Sequence, residues 1–483
     1  MKPILCGPKF YGSKFFSEEN SDYLLSDEEE LSEESSEEMS LMYRISELPD
    51  TLLLRVLSLL PTAKDVVATM VLSKRWEFLW LSVPRLVFDD QDIEYGKFSR
   101  FVDRYMIVND AQELETLHFK LSRTCAAQDI IVWMRAANNF AVREMIIEID
   151  SSSCPSPIII PPVLYTECTM LSTLKLNKAM LANSSPPMFF PSLKTLSLLS
   201  VKYPNEEFVS SLLSYCHVLE SLEVEKCRDD NVTVFTVRVP SLKRLVLHTS
   251  ENRDRDDSDG FVINAPCLEY FNIIDHKGGF CVIENSMPNV VEAYVDVTHC
   301  HPRMILSSIT SVKRLYLCLS TSKVVSCFFS FHLQLLLLFI NLSCVQDLYP
   351  VDTFFPRLVH LTLCTCETEW LNLLVSMLRA APNLPALKLE QYHGLPARHL
   401  RASWNEPSSV PLCLLSSLET LEWVNYEGTE EEKEVVGFIL RNGGCLEKVT
   451  ISSKSNDCNE KLEMIKDLTW SIRRSPTCQL AFD

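Results

Sequence analysis

Glycine is scarce in this chain, at 11 of 483 residues, and neither GxGxxG nor GxxxxGK[ST] occurs. That excludes the glycine-rich loops that cradle dinucleotides and nucleoside phosphates. The GxSxG elbow of serine hydrolases and the HExxH pair of zinc hydrolases are missing too. No basic stretch followed by an apolar one opens the chain, as a secretory signal would. Cationic excess is also absent. The net charge is −19, whereas a nucleic-acid binder needs a basic face to displace counterions from phosphates. What is present, 47% hydrophobic and 23% charged residues, is the composition of a folded soluble protein. The length exceeds one ordinary core, so several domains or a repeat array are expected. Eighteen cysteines would staple only a short secreted chain. Here Cys227, Cys267 and Cys318 fall at apolar positions of strand-like segments, as buried, reduced thiols would.

The acidity is uneven. Residues 1–40 hold 3 Lys against 11 Asp or Glu, which places −8 of the charge there. Residues 17–40 have no basic residue, so the segment repels itself and buries too little surface to offset chain entropy. Residues 1–41 are therefore expected to be a disordered acidic tail.

A short helical block follows at 44–83. Leu48, Leu52, Leu53, Val56, Leu57 and Leu60 recur on one face of a helix, with Pro49 in its first turn and Pro61 as its stop. Thr62 and Asp65 resemble a capping box that opens a second helix through Val66, Val67, Met70 and Val71. A third begins near Ser73 and carries Trp76, Leu79 and Trp80. Three such helices enclose a very small core, so the block needs a flanking domain or a partner to cover its apolar surface.

From about residue 112 an apolar-x-x-apolar-x-apolar unit returns thirteen times, from Leu114-Leu117-Phe119 through Leu219-Leu222-Val224 to Leu446-Val449-Ile451. Spacings run from 22 to 29 residues apart from two longer gaps, the range of leucine-rich repeats. Each unit supplies one strand that cannot bury its apolar side alone, so the strands stack into a curved parallel sheet. The longest gap, 46 residues, contains Val324 to Cys344, 21 uncharged and mostly apolar residues. Removing them restores a normal spacing. Three readings stand: a transmembrane helix, which would cut the sheet in two; a natural apolar insertion packed on the array; or a segment foreign to the fold, from a retained intron or an imperfect gene prediction. The restored period favours the third. After Trp404-Asn405-Glu406-Pro407 the texture changes to β-α-β-α-β: strands at 418–424 and 446–451, a helix ending at Asn442-Gly443-Gly444, a helix with Leu462 to Leu468, and a last strand at 478–482. This order extends and caps the sheet.

Arg44-Ile45-Ser46-Glu47-Leu48-Pro49-Asp50, Leu59-Leu60-Pro61-Thr62, Val71-Leu72-Ser73-Lys74-Arg75-Trp76 and Leu79-Trp80 closely resemble the F-box of plant proteins. The stretch from Ser403 to Gly444, and the ending Arg474-Ser475-Pro476 with Cys478-Gln479-Leu480, resemble the FBD domain of the plant F-box/FBD/leucine-rich-repeat family. The resemblance covers residues 42–483 except 324–344. It implies an α/β protein: a small helical F-box (42–88), a leucine-rich-repeat solenoid (112–402, with the apolar insertion at 324–344) and a capping α/β FBD domain (403–483). It further implies a substrate-recognition subunit of a Skp–cullin–F-box type ubiquitin ligase, in the nucleus or cytoplasm. The F-box would dock a Skp-type adaptor, and through it cullin and RING subunits. The repeats and FBD would hold a protein target that the sequence does not name. Adaptor-binding residues carried over are Leu48, Pro49, Leu52, Leu60, Pro61, Leu72, Ser73, Arg75 and Trp76, an apolar helix face plus a Trp-Arg cluster. Packing of the F-box core is the competing reading, level with contact for Leu52 and Leu60, while contact is favoured for Pro49 and Trp76. Two departures stand out. The acidic residues 1–40 have no counterpart in the family's usual short N-terminus, and the insertion falls inside the presumed target-binding array.

Other chemistry is thin. Thr298-His299-Cys300-His301 and Cys364-Thr365-Cys366 offer metal-type ligands, yet neither forms a paired CxxC or CxxC…HxxxH set. No metal, cofactor or catalytic residue is expected, and no membrane or nucleic-acid partner. Positioning a target is the chemistry implied, since proximity alone raises local concentration. The competing reading is a repeat-based binding or scaffold protein with no ligase role, or a defective family member.

Overall fold

The computed structural model of the chain describes residues 45–482, apart from residue 46 and the segments 92–94, 109–113, 123–125, 151–157, 184–186, 228–230, 251–258, 277–278, 298–302, 320–352, 367–369 and 394–403. The expected tail at 1–41, the insertion at 324–344 and the Thr298–His301 cluster lie outside the described residues.

Three short helices come first. Helix α1 (Asp50–Leu57) starts after Pro49, whose extended ψ of 148° puts it at the N-cap, one position earlier than a first-turn proline. Helix α2 (Ala63–Ala68) opens with the anticipated capping box: Thr62 Oγ1 accepts from the Asp65 amide at 3.3 Å, and Asp65 accepts from the Thr62 amide at 3.2 Å. Helix α3 (Trp76–Leu79) follows a 3₁₀ turn at Thr69–Val71. Leu53, Leu57, Ala63, Val66, Trp76 and Leu79 are buried in the same continuous core as the domain that follows. The expected need for a flanking domain is met internally. Trp80 stacks edge-on against Tyr105, with centroids 5.1 Å apart, and the Tyr105 hydroxyl donates to the Trp80 carbonyl at 2.7 Å.

The rest is built on one sheet of fifteen parallel strands in chain order. They are Arg85–Asp89, Thr116–Leu121, Glu144–Ile149, Thr173–Asn177, Thr195–Leu199, Ser221–Lys226, Arg244–Thr249, Tyr270–Asp275, Glu292–Val297, Arg314–Leu319, His360–Cys364, Ala386–Glu390, Thr420–Tyr426, Lys448–Ser453 and Gln479–Phe482. All thirteen repeat units are strands of it. The cause is the period-two alternation: Leu222 and Val224, Leu245 and Leu247, Phe271 and Ile273 point to one side and are buried, and register aligns them strand upon strand. The sheet starts earlier than expected. Its first strand, Arg85–Asp89, pairs with Thr116–Leu121, and Val83-Leu86-Phe88 carries the same spacing of apolar residues ahead of residue 112.

The apolar sides of the strands are covered by helices such as Ala127–Asn139, Glu206–Ser214 and Trp370–Ala380. In the middle, extended segments form a second, three-stranded parallel stack in the order Phe280–Ile283, Gly260–Asn264 and Val234–Arg238. The approach is so close at Gly260 that a Cβ would lie 2.5 Å from the Phe280 carbonyl oxygen.

The strand before the 46-residue gap, Arg314–Leu319, pairs directly in parallel with the strand after it, His360–Cys364, with Arg314 opposite His360 and Leu317 opposite Leu363. The sheet is therefore continuous across the gap. Among the described residues, no helix is long and apolar enough to cross a membrane. At the C-terminal end the anticipated β-α-β-α-β order is found, all strands parallel. Helix Glu430–Asn442 has its own capping box, Thr429 with the buried Glu432. It ends at Gly443, whose φ of −68° is ordinary; what demands glycine there is space, since a Cβ would stand 2.9 Å from the Ile439 carbonyl oxygen.

Candidate functional site

Two surfaces have the makings of a binding site. The first is the helical block. Its buried side is taken by Leu53 and Leu57 of α1, so the rest of the helix surface is free to face outward. Leu52 and Val56, one turn apart, and Leu59 just beyond them are exposed, the last at 75%. Val71 at the 3₁₀ turn is 83% exposed, and Phe78 on α3 is 64% exposed. Isolated exposed apolar side chains are ordinary, but several concentrated in about thirty-five residues mark a surface that a partner covers.

The residues expected to bind an adaptor divide into two groups. Leu52 and Leu72 are exposed apolar side chains, and Pro49, Pro61 and Arg75 are also at the surface. Leu48 and Leu60 are half-buried and pack against the core, and Ser73 is half-buried with its carbonyl accepting from the Trp76 amide at 3.0 Å. Trp76 corrects the expectation of a surface Trp-Arg cluster. Its side chain is only 3% exposed and packs inside with Leu53 and Leu57, so it shapes the block and has almost no area to offer a partner. Arg75 points the other way: its Nη2 lies 2.5 Å and its Nε 3.0 Å from Asp50 Oδ1, bracing α3 against the start of α1. Val56, Leu59, Val71 and Phe78 were not among the expected contacts. Leu59 and Phe78 had a signal in the sequence, an apolar residue lying off the helical stripes, whereas Val56 and Val71 lie on those stripes and had none.

The second surface is the face of the sheet turned away from the core. Its side chains include charged pairs between neighbouring strands: Lys175 with Glu144 at 3.0 Å and Arg314 with Glu292 at 2.6 Å. Aromatic residues gather near the middle. Tyr294 and Tyr316 occupy the same row on adjacent strands and stack with ring centroids 3.9 Å apart and ring planes nearly parallel. The exposed Tyr392 meets Tyr316 edge-on, and the Arg244 guanidinium lies 3.9 Å over the Tyr270 ring. Rings with polar tips, held by a rigid sheet, are the kind of side chain that dominates protein–protein contacts.

Beside these tyrosines the same face holds buried polar groups. The Asp296 carboxylate accepts from both His276 Nε2 and His393 Nε2 at 2.9 Å, one imidazole on each oxygen. Cys318, Cys364 and Cys366 are buried together, Sγ to Sγ 3.5 Å for Cys318 and Cys366 and 3.1 Å for Cys364 and Cys366. The thiols of Cys318 and Cys366 and the Tyr392 amide hold the Cys364 thiol well below its ordinary range, while the same thiol contacts and burial push Cys318 up. Of the other cysteines expected to be buried, Cys227 is half-buried and Cys267 is exposed at the turn before its strand. No disulfide links the described cysteines.

A block of three helices with an exposed apolar surface, joined to a parallel repeat sheet with an α/β end, is the architecture of an F-box protein with leucine-rich repeats. Comparison with known proteins agrees. Residues 45–88 match the F-box domain profile, 130–287 the leucine-rich repeats of FBD-associated F-box protein At5g56370, and 406–451 the FBD profile. Two Arabidopsis thaliana proteins named as FBD-associated F-box proteins are similar throughout. At5g50270 is 59% identical over 88% of this chain and 100% of its own length, and At1g32375 is 56% identical over 92% and 100%. The F-box/FBD/LRR-repeat protein At5g56420 of the same plant is 44% identical over 91% of this chain and 99% of its own. The chain belongs to the plant family of FBD-associated F-box proteins. Membership implies a substrate-adaptor role, of a kind that is typically not enzymatic, with an F-box that in general binds Skp-type adaptors.

Proposed function

We propose that this chain is the substrate receptor of a Skp–cullin–F-box ubiquitin ligase, acting in the nucleus or cytoplasm without catalysing any step itself. A Skp-type adaptor covers Leu52, Val56, Leu59, Val71, Leu72 and Phe78, with Pro49, Pro61 and Arg75 at the margin. Cullin and RING subunits join through that adaptor. The target docks on the outward face of the sheet around Tyr294, Tyr316 and Tyr392. The observation that carries this reading is the strong exposure of Leu59, Val71 and Phe78, with Leu52, Val56, Met70 and Leu72 exposed as well, in a block whose core is closed by Leu53, Leu57, Val66, Trp76 and Leu79. Burying each such side chain contributes about 1.5–3 kcal/mol, so a few suffice for a stable adaptor complex.

The test is capture of a purified plant Skp-type adaptor by the full chain and by a Val71→Asp/Phe78→Asp variant. The variant should fold, as both sites are exposed, and should lose the adaptor. Equal capture by both proteins would refute the surface. Adaptor capture without cullin-dependent turnover of any bound partner would favour a scaffold with no ligase role.

A further inference from the structure

Strand alternation decides where the cysteines of the central sheet go. In Arg314–Leu319 and His360–Cys364, the leucines Leu315, Leu317, Leu361 and Leu363 enter the main core. Cys318 and Cys364 point to the opposite face, which elsewhere carries charged pairs and tyrosines. There they are joined by Cys366, and all three are at most 4% exposed, in a cluster of their own apart from the core with Tyr316 packed against it. Burial on the open face requires a cover. The chain after strand Ala386–Glu390 supplies it: Gln391 is buried, and His393 reaches back past the two cysteine-bearing strands to Asp296 on Glu292–Val297. His276 holds the other oxygen of Asp296, fixing that anchor.

Core cysteines of this protein behave differently. Cys216 and Cys413 each donate to a main-chain carbonyl, at 3.3 and 3.1 Å, as packed thiols do. The three thiols under the strap face one another instead. From this geometry we infer a binding site for one thiophilic d¹⁰ metal ion, Zn²⁺ or Cu⁺, ligated by the sulfurs of Cys318, Cys364 and Cys366. Binding releases the thiol protons, because the thiolate is the ligand. Zinc–sulfur bonds of about 2.3 Å place tetrahedral sulfurs roughly 3.8 Å apart, so the present 3.1 and 3.5 Å separations open by about 0.7 and 0.3 Å. Among the described residues these three sulfurs form a group without a fourth His, Cys, Asp or Glu ligand. Three sulfurs complete a trigonal Cu⁺ site, whereas Zn²⁺ would take a water or an outside ligand in the fourth position. The ion would staple together the two strands that flank the long gap, where the chain between paired strands is longest.

The experiment loads the reduced full-length chain with Zn²⁺, or with Cu⁺ in the absence of oxygen, removes free metal and measures the bound ion by elemental analysis. About one equivalent of one ion per chain is expected, with affinity reduced at least tenfold or so in Cys366→Ser and in Cys364→Ser, and unchanged in the exposed Cys445→Ser control. Co²⁺ bound to the wild-type chain should show thiolate-to-cobalt charge-transfer absorption, a readout that does not depend on any variant folding. Retention of neither Zn²⁺ nor Cu⁺ by the folded, reduced chain overturns the site. So does binding unaffected by both substitutions, or a bound Co²⁺ without thiolate bands.

Discussion

Phe78 and Trp76 lie two residues apart, and their opposite burial makes them a controlled pair. Trp76 is 3% exposed and packs with the α1 leucines, so Trp76→Ala should cost about 3–5 kcal/mol of folding stability. Phe78 is 64% exposed, so Phe78→Ala should change the stability of the isolated chain by no more than about 0.5 kcal/mol. The order reverses for the adaptor. Full burial of a phenylalanine is worth about 1.5–3 kcal/mol, and roughly two-thirds of Phe78 is still accessible, so an adaptor that covers it gains about 1–2 kcal/mol. Losing that weakens the complex about 5- to 30-fold. Titration calorimetry with a purified Skp-type adaptor gives the Kd, and thermal unfolding of the free chain gives the stability. A Phe78→Ala chain that binds like wild type would refute the proposed surface. A Trp76→Ala chain that melts like wild type yet loses the adaptor would show that Trp76 is a contact after all, and that the block reshapes on binding.

Three further outcomes are expected. Asp90 is buried at the end of the first sheet strand and accepts from the Ser122 amide and hydroxyl at 2.7 and 2.6 Å, so Asp90→Ala should destabilise the chain by about 1–3 kcal/mol in urea unfolding. His118, His248 and His360 have proton affinities lowered from the ordinary 6.5, chiefly by burial, against the opposing pull of Glu148 on His118, of Glu223 and Glu225 on His248, and of Glu422 on His360. The unfolded chain then binds more protons than the folded one below 6.5; stability is full above that pH and falls as pH drops below it, and His248→Gln should flatten the slope of urea midpoint against pH. Deleting 324–344 shortens the stretch 320–352 from about 33 residues to about 12, which loop-closure entropy alone makes stabilising by about 0.9 kcal/mol; a loss of about 2 kcal/mol or more on deletion would show instead that the segment packs on the sheet.

Much of the fold was legible because it is periodic. Each repeat announces its strand by three apolar residues at fixed spacing, and that spacing means the same thing thirteen times over. The first strand escaped because its unit, Val83-Leu86-Phe88, adjoins the helical block and stands one longer interval ahead of Leu114. The last, Gln479–Phe482, has Thr477 where the pattern wants an apolar residue and so stands outside the thirteen units, but the β-α-β-α-β order of the end of the chain placed it at 478–482. The capping box of Thr62 and Asp65 was legible because it is a contact between residues three apart.

The candidate sites were harder to read for a related reason. A sequence shows that Trp76 and Phe78 are both large and apolar, but which one is buried depends on the direction a four-residue helix presents to a sheet hundreds of residues long. The three thiols make the point more sharply. Cys364 and Cys366 are visible as neighbours, yet Cys318 stands 46 residues before Cys364. Only the direct pairing of Arg314–Leu319 with His360–Cys364 brings it to them. That pairing is also what skips residues 320–352. Were the gap a membrane span or a break between domains, Leu317 could not stand opposite Leu363 and Cys318 would have no thiol partner. The register that closes the sheet and the register that gathers the sulfurs are one and the same, so a metal ion held by those sulfurs would report directly on whether this version of the chain closes its repeat sheet in solution.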